Sequence, residues 1–540
     1  MVAVGVLPLR GLLHYQGPPM EEGFMLVFGE QVLHGARANQ DFLHLYGPGS
    51  LWVLAAVYRV FGVTLTVERM VGLAQIAGIV SAVYVLGRSW GRRIAVLCAL
   101  TSLLLILPPV GLTAMAWNGA IALGAWAVVV ADRARRHEDA RRARRLHVVA
   151  GLLAGLALLY RPDLVLALAL ATVALLLPDR GRTAEGGTSI AARARWLAAG
   201  TAIGVAPYVV HVAMVGVGRA FTGMVVDPIV HLRGGRSLPV PPSWDRLDGF
   251  LQRAGGLRAI HWPLPALAVP HQIFLWFFTL LVVALGGLGL AVARVRRAPD
   301  DRRARTLVVA SAFAAGLLTQ ALQRPDTAHL AWVSCIAIAL LPAYVAELWR
   351  ARDERGTNRA WLPAAGCVAL FVLVIAPQFT ARGYLDLSEQ TFGHNVFGVA
   401  ITRGDRTFYY GDAAPAHAAQ RLVDDLGAQL QPGQRLFVGP FDLRQTPYSD
   451  AFFYYLFPEL HPSTYFIEMD PGIANAKGSR LTSDVASSDW LILSNVWSGW
   501  DEPNDSRVVG PSAPNDEVAR SFCLVHDYDN LFRLYHRCGP

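Results

Sequence analysis

The sequence contains little charge and a single lysine, Lys477. Only 16% of its 540 residues are charged and 54% are hydrophobic, whereas soluble proteins contain about 25% charged and about 45 to 50% apolar residues. This composition excludes a cytosolic enzyme. The 23 Phe, 16 Tyr and 14 Trp residues require burial and exclude a disordered chain. We therefore predict an integral membrane protein.

Motifs that identify several soluble enzyme classes are also absent. The sequence has no Gly-x-x-x-x-Gly-Lys phosphate loop, no His-Glu-x-x-His, no Cys-x-x-Cys pair and no Gly-x-Ser-x-Gly turn. No segment alternates basic and aromatic residues as a nucleic-acid-binding surface does. We therefore expect no nucleic-acid partner.

Cysteine is scarce, and the five residues show no metal-ligand spacing. Cys98, Cys335 and Cys367 lie in apolar runs, where a small buried hydrophobic side chain is the expected role. Cys523 and Cys538 lie in two strand-like runs that flank a short polar turn. If this region is outside the cell, a hairpin allows a disulfide, and two free thiols are the alternative.

Excess positive charge is confined to the first 378 residues. Residues 379–540 contain 12 basic and 20 acidic side chains, which leaves 36 basic and 20 acidic ones before them. The arginines cluster in alternate loops between apolar runs, as in the cytoplasmic loops of membrane proteins. Residues 14–66, 217–268 and 379–540 are then exoplasmic. The use of Arg in place of Lys suggests a bacterial genome, and therefore a bacterial plasma membrane.

Apolar runs of about 20 residues predict membrane-spanning helices. Ten such runs are present, and residues 1–13 form a shorter apolar run that is an eleventh candidate. Residues 49–62 would reverse the alternation of charge if they spanned the bilayer, so we expect them to lie in its outer interface or to re-enter it. The fold class over residues 1–378 is thus an all-α polytopic membrane bundle of about 11 helices. The ten longer runs are residues 67–88, 94–110, 114–131, 147–160, 163–178, 196–216, 269–293, 306–323, 329–346 and 361–378.

The chain changes character after residue 378. Strand-like runs at 435–438 and 490–493 and helix-like runs at 414–430 and 479–486 predict a small soluble α/β domain over residues 379–540. Aromatic and acidic side chains in this domain suit sugar binding by stacking and hydrogen bonding, although tryptophans in a core are commoner. These residues are Trp490, Trp497, Trp500, Asp501 and Glu502.

The first candidate site residues are Glu21 and Glu22, in the exoplasmic stretch 18–24 (PPMEEGF). Acidic residues in a first helical turn are favoured by the helix dipole, so an ordinary helix start is one interpretation. The other is a carboxylate near the membrane surface that takes a proton from an acceptor hydroxyl.

The second candidate is the stretch 41–49 (DFLHLYGPG), which precedes the interfacial segment. Its Gly-Pro-Gly sequence predicts a tight turn, from which Asp41, His44 and Tyr46 project into a cleft. A structural turn with an aromatic anchor at the headgroup level explains the same residues equally well.

The third candidate is a repeated Arg-Pro-Asp sequence, which places Arg161 and Arg324 at the outer ends of two predicted helices. Isolated cations at the mouth of an apolar bundle are retained for pairing or for anion binding. Salt bridges to Asp163 and Asp326 are one alternative, and bidentate binding of a phosphate is the other. His329 lies one turn beyond the second repeat and is a further candidate.

The topology and the first-loop sequences together resemble the GT-C superfamily of membrane glycosyltransferases. The acidic pair before Gly, the following helix, the Asp-Phe-x-x-x-Tyr-Gly-Pro-Gly stretch and the interfacial segment carry the resemblance. The similarity covers residues 1–378 and is nearest to the protein O-mannosyltransferase and aminoarabinose transferase group, with its RgtA/B/C/D-like bacterial relatives.

The resemblance implies an inverting glycosyltransferase that moves a sugar from a polyprenyl-phosphate donor to an exoplasmic saccharide, lipid or protein acceptor. The family's first-loop catalytic acid, usually Asp, matches Glu21 or Glu22. Some relatives have a Lys-Pro-Pro or His-Pro-Pro element that aligns loosely with residues 45–48, where this sequence has no Lys. His44, Arg161 or Arg324 would then contact the phosphate. Some members use a divalent metal, but we expect no required metal or other cofactor. The alternative is a transporter or flippase of a lipid-linked saccharide. The sequence shows no clear pair of the inverted repeats that are common in transporters.

Overall fold

The computed structural model describes residues 2–14, 20–177, 189–252, 262–352, 359–394 and 396–539. Pro18 and Pro19, which begin the first-loop stretch, lie outside these residues. The first 20 α-helices form the membrane part and the structures around it. They are α1 (Val2–Val6), α2 (Leu9–Leu13), α3 (Glu21–Leu33), α4 (Gly49–Phe61), α5 (Leu65–Gly87), α6 (Arg92–Val110), α7 (Ala116–Arg135), α8 (Ala140–Tyr160), α9 (Val165–Leu176), α10 (Ile190–Val205), α11 (Pro207–Val215), α12 (Val217–Phe221), α13 (Leu232–Arg236), α14 (Val269–Arg297), α15 (Arg302–Gly316), α16 (Leu318–Gln323), α17 (Thr327–Ala337), α18 (Leu341–Arg352), α19 (Trp361–Leu370) and α20 (Ala381–Thr391).

Seven helical segments among the described residues are long and apolar enough to cross a membrane. A bent pair, Trp361–Ile375 with Pro377–Thr391 at 94°, makes eight if it is one span. These numbers establish a multi-pass membrane protein. The seven are Leu65–Trp90, Arg92–Val110, Ala140–Tyr160, Ile190–Val215, Val269–Arg297, Arg302–Gln323 and Thr327–Arg350.

The predicted count of about 11 spanning helices is not confirmed. Within residues 2–13, the structure has two short helices, separated at Leu7-Pro8. Helix α9 has only 12 residues, about 18 Å at 1.5 Å per residue, and a bilayer core is about 30 Å thick. Helix α7 is long but polar at its ends, where Asn118 and Asp132 are buried.

The C-terminal part contains a five-stranded mixed sheet with strand order β4-β3-β5-β7-β6 and a separate antiparallel pair, β1 and β2. Strand β3 runs parallel to β4 and β5, whereas β7 runs antiparallel to β5 and β6. Strand β5 is wholly buried, as expected for a central strand covered on both faces. The elements are β1 (Val399–Arg403), β2 (Arg406–Tyr410), α21 (Ala413–Gln429), β3 (Arg435–Pro440), α22 (Phe452–Leu456), β4 (His461–Pro462), α23 (Leu481–Ala486), β5 (Trp490–Ser494), α24 (Ala513–Ser521), β6 (Phe522–Tyr528) and β7 (Phe532–Arg537).

The strands and helices predicted for this region are confirmed. The turn between β6 and β7 has positive φ angles at both central residues, 58° at Asp529 and 54° at Asn530. Two residues with positive φ match the twist of a tight hairpin. The hairpin aligns the two sulfurs, and a disulfide joins Cys523 to Cys538.

The C-terminal part packs on the first loop, residues 14–66, where α3 and α4 lie. Aromatic and aliphatic side chains from α3 and α4 share one continuous core with those of β2, α21 and α22. Gly23 allows close contact there, because a Cβ at this position would lie 3.0 Å from the backbone nitrogen of Phe452. At the other end of α3, Arg406 forms a bidentate ion pair with Glu30 at 2.6 and 2.8 Å. These contacts fix α3 between the bundle and the sheet.

We predict that the disulfide stabilises the C-terminal part. The two cysteines are 15 residues apart, and closing a loop of this length stabilises a fold by about 3 kcal/mol. The Cys523→Ser, Cys538→Ser double variant should lose about this amount in denaturant unfolding of the nanodisc-embedded protein. Cys367→Ser, at a free exposed thiol, is the matched control. Equal unfolding of the two variants would contradict the prediction.

Candidate active site

A cavity of about 560 Å3 lies where the membrane helices, the first loop, the segment Thr222–Arg236 and the C-terminal part meet. Part of its wall is apolar and comes from α3, α7, α9 and the π-helical segment Thr222–His231. Its polar lining is drawn from all four regions. The polar residues are Glu21, His44, Tyr46, Arg161, Asp163, Arg236, Thr319, Gln320, Gln323, Arg324, His329, Tyr448, Glu468 and Asp470.

Glu21 faces this cavity and has a carboxylate oxygen free for substrate. Its Oε2 atom is buried and has no hydrogen-bond partner among the described residues. Burial raises the pKa of the carboxyl to about 7, against the opposing charges of Arg236 and Arg324. The group therefore exchanges a proton near neutral pH, as a general base must.

Glu22 has a different environment. It is buried away from the cavity in a bidentate ion pair with Arg69, at 2.7 and 2.8 Å. The same guanidinium also donates to the carbonyl oxygens of Leu12 and Leu13. Consecutive helical residues point about 100° apart, so only Glu21 lines the cavity while Glu22 joins the first loop to the bundle.

The stretch 41–49 sends two of its three candidate side chains into the cavity. His44 is 1% exposed, and its ring packs edge-on against Phe28 and Tyr46, with centroids 5.4 and 5.5 Å away. Burial and the charge of Arg161 lower the pKa of His44 to about 3, so the ring is neutral. Asp41 is exposed, accepts a hydrogen bond from the backbone N–H of Arg37 at 2.7 Å, and does not line the cavity.

Arg161 forms the membrane-side cation of the cavity. Its guanidinium lies 3.8 Å from the ring centroid of Tyr46 and 4.3 Å from that of Trp117. It donates two hydrogen bonds to Asp163, at 3.0 and 2.7 Å. The predicted salt bridge to Asp163 is therefore present. Arg161 also lines the cavity, so the salt bridge does not exclude the other alternative, binding of a phosphate.

Arg324 has more ion-pair and hydrogen-bond partners than Arg161. It donates to Asp326 at 2.7 Å, to both carboxylate oxygens of Glu502 at 2.9 and 2.6 Å, and to the carbonyl of Arg236. Burial alone lowers the pKa of Arg324, but the Glu502 and Asp326 carboxylates raise it above its ordinary value. Glu502 is consequently held in an ion pair, and Arg324 joins the bundle to the C-terminal part.

His329 is oriented by the second Arg-Pro-Asp sequence. Asp326 caps α17 by accepting from the His329 backbone N–H at 2.9 Å, and its carboxylate also lies 2.8 Å from Nδ1 of the ring. The second ring nitrogen, Nε2, remains for contacts in the cavity, which His329 lines. The ring edge packs on Trp332 at 4.9 Å.

Arg236 is a cavity residue that sequence reasoning missed. Its guanidinium stacks 3.7 Å from the ring centroid of Tyr448, and Nη2 donates to the carbonyl of Pro447 at 2.8 Å and to Asp470 at 3.3 Å. Nη1 is buried without a hydrogen-bond partner among the described residues. Nothing in the sequence distinguishes Arg236, which is buried, from the nearby Arg233, which is exposed.

Two carboxylates from the C-terminal part were also missed. Glu468 and Asp470 line the cavity on either side of Met469, whose φ of 58° is uncommon for a residue other than glycine. Burial raises the pKa of Glu468, and so does the neighbouring Asp470. Such strain is often retained where the backbone must aim functional side chains.

The structure offers no assembled metal site among the residues it describes, since no three His, Cys, Asp or Glu side chains there are placed so that they could hold a metal ion. The expectation that no metal is required stays a prediction.

Comparisons with known proteins bear on the fold. No protein-family model and no curated protein match the chain. The crystal structure of ArnT from Cupriavidus metallidurans bound to undecaprenyl phosphate matches 100% of this chain and 98% of its own, with 14% identity and a TM-score of 0.50. Its apo form matches over the same shares with 14% identity and a TM-score of 0.51. Archaeal AglB from Archaeoglobus fulgidus matches 99% of this chain and 74% of its own, with 11% identity and a TM-score of 0.49.

The likeness to ArnT confirms the predicted fold class. ArnT is a membrane glycosyltransferase of the GT-C superfamily, and the likeness extends over the helical bundle and the C-terminal part. At 14% identity it establishes the GT-C-like fold alone.

The two glutamates should respond differently to substitution. Breaking a buried ion pair by removing one partner costs about 3 to 5 kcal/mol, so Glu22→Gln should destabilise the protein by roughly this amount because Arg69 stays buried. Glu21→Gln should leave stability unchanged or slightly raise it at pH 8, where an unpaired buried carboxylate is ionised. Unfolding of both variants in nanodiscs at pH 8 measures the difference. A larger loss in Glu21→Gln would contradict this assignment.

Proposed function

We propose that the protein is an inverting glycosyltransferase that moves a sugar from a polyprenyl-phosphate donor to an exoplasmic saccharide, lipid or protein acceptor. The observation that carries the proposal is the carboxylate oxygen Oε2 of Glu21, which is buried without a hydrogen-bond partner among the described residues, in the same cavity as Arg161 and Arg236. A base for the acceptor and cations for the leaving group are the two groups that such a transfer needs.

The apolar side of the cavity suits a lipid tail. Val165, Leu166 and Ile229 line it and are 56%, 43% and 58% exposed, on helices at the edge of the bundle. A polyprenyl chain entering between these helices remains in the bilayer while its phosphate reaches the arginines. ArnT, whose fold the chain shares, binds undecaprenyl phosphate, which supports a donor of this kind.

The proposed reaction is a single displacement at the anomeric carbon. The acceptor hydroxyl attacks from the side opposite the phosphate, and Glu21 takes its proton as the new carbon–oxygen bond forms. The bond to the phosphate oxygen breaks with its electron pair, and polyprenyl phosphate leaves. Arg161 and Arg236 stabilise the charge on this anion by charge-assisted hydrogen bonds.

The proposed orientation places the cavity on the outer face of a bacterial plasma membrane. The arginine-rich loops are then cytoplasmic, and the disulfide of the C-terminal part lies in an oxidising compartment. Residues 1–378 would form the catalytic membrane domain and residues 379–540 an exoplasmic domain that completes its site.

The assay follows the release of polyprenyl phosphate from a panel of radiolabelled polyprenyl-phosphate sugars by the nanodisc-embedded protein, with native membranes as acceptor source. Because Glu21 acts ionised, kcat/KM should rise tenfold per pH unit below about 7 and level off above it. Glu21→Gln should lower turnover by about 10² to 10⁴ and abolish this pH dependence. An unchanged rate in Glu21→Gln would overturn the base assignment, and donor binding without turnover would favour a transporter.

The arginines make a separate prediction. Hydrogen bonds to charged groups contribute about 1.5 to 3 kcal/mol, so Arg236→Ala should lower kcat/KM for the donor by roughly 10- to 150-fold. Arg233→Ala, at an exposed arginine on the same helix, is the matched control and should leave the rate unchanged. Equal effects of the two substitutions would contradict a specific contact between Arg236 and the donor phosphate.

A further inference from the structure

A small cleft on the C-terminal part lies outside the cavity. It has a volume of about 40 Å3 and is lined by residues of the segments 440–447 and 497–506. We call it the tryptophan cleft. The lining residues used below are Gln445, Pro447, Trp497, Ser498, Trp500 and Ser506.

The cleft contains polar atoms that lack partners. Ser506 is 5% exposed and its Oγ forms no hydrogen bond among the described residues. The indole N–H of Trp500 is likewise buried without a partner there. Buried polar atoms are nearly always hydrogen-bonded, so these two point to a ligand that supplies acceptors and donors.

The remaining chemistry of the cleft identifies the class of ligand. Indole faces stack on the C–H faces of sugar rings, and hydroxyl, amide and indole N–H groups hydrogen-bond to sugar hydroxyls. The described lining contains no Arg, Lys or His, and the carboxylate of Asp442 is already bound to Arg444 and Asn515. These groups favour a neutral, hydroxyl-rich saccharide over an anionic one.

The volume of the cleft sets what enters it. A single water needs roughly 10 to 15 Å3 of cavity, so about 40 Å3 accepts a hydroxyl-bearing substituent but not a whole ring. The ring itself would lie across the mouth of the cleft against Trp500, which is partly exposed.

The cleft is connected to the cavity by short contacts. Its segment 497–506 also carries Glu502, which pairs with the cavity residue Arg324 at 2.6 and 2.9 Å. On the other segment of the cleft, 440–447, the carbonyl of Pro447 accepts a hydrogen bond from Arg236 at 2.8 Å. Tyr448 lines the cavity and packs edge-on against Trp500, with centroids 4.7 Å apart.

We propose that the tryptophan cleft is a saccharide subsite that holds a neutral glycan unit of the acceptor, whose reacting hydroxyl reaches Glu21 past Tyr448. This inference rests on the proposed function. The occupant is the acceptor because the donor's lipid requires the apolar membrane side of the cavity, and every residue of the cleft belongs to the C-terminal part.

Saturation-transfer NMR on the full-length protein in nanodiscs tests the subsite without donor. The probes are neutral trisaccharides of glucose, mannose and N-acetylglucosamine, with a trigalacturonate as the anionic comparison. At least one neutral trisaccharide should bind the wild type, and the anionic one should bind at least fivefold more weakly. Trp500→Phe and Ser506→Ala, which preserve packing, should each weaken binding at least fivefold. Trp244→Phe, at a half-exposed tryptophan stacked on His271, is the control and should leave binding unchanged.

Two results would overturn the inference: no trisaccharide binds the wild type, or the cleft variants bind as well as the wild type. Donor turnover in the native-membrane assay separates this failure from failure of the proposed function. Turnover with an unchanged acceptor KM in Trp500→Phe would refute the subsite and keep the glycosyltransferase. Binding in the cleft without turnover of any donor would keep the subsite and refute the transferase.

Discussion

The buried charge of Arg324 is the constraint on which the arrangement of the site depends. A cation at the edge of a membrane bundle costs several kcal/mol unless it is paired. Its partners, Asp326 and Glu502, come from the bundle and from the C-terminal part. Pairing therefore requires the segment around Glu502 to lie on the bundle, and this closes the cavity over Glu21 and brings Arg236 to it.

The ion pairs around the cavity distinguish the charged side chains that stabilise the fold from the one that is available for chemistry. Glu22 and Arg69 satisfy each other, as do Glu30 and Arg406, and both pairs fix the first-loop helix. Glu21, one residue from Glu22, is left without such a partner and faces the arginines across the cavity. A helix anchored by its neighbouring carboxylates can thus hold one reactive carboxylate with a pKa near neutrality.

The sequence predicted the membrane class, the helical bundle, the α/β character of the C-terminal part and the Cys523–Cys538 hairpin, because these depend on local composition and periodicity. It did not predict the number of spanning helices, since bends and short buried helices depend on packing. It brought Glu21, Arg161 and Arg324 to attention through their local context. It missed Arg236, Glu468 and Asp470 because only the tertiary fold brings these distant segments to one cavity.

The central claim is that one cavity holds the donor phosphate on arginines and the sugar against Glu21. Cryo-electron microscopy of the Glu21→Gln variant in nanodiscs, with a turned-over donor from the panel bound, tests it most directly. We predict density for the phosphate within hydrogen-bonding distance of Arg161 and Arg236, with the anomeric carbon next to residue 21. Density for the phosphate outside this cavity, or a sugar remote from residue 21, would contradict the account.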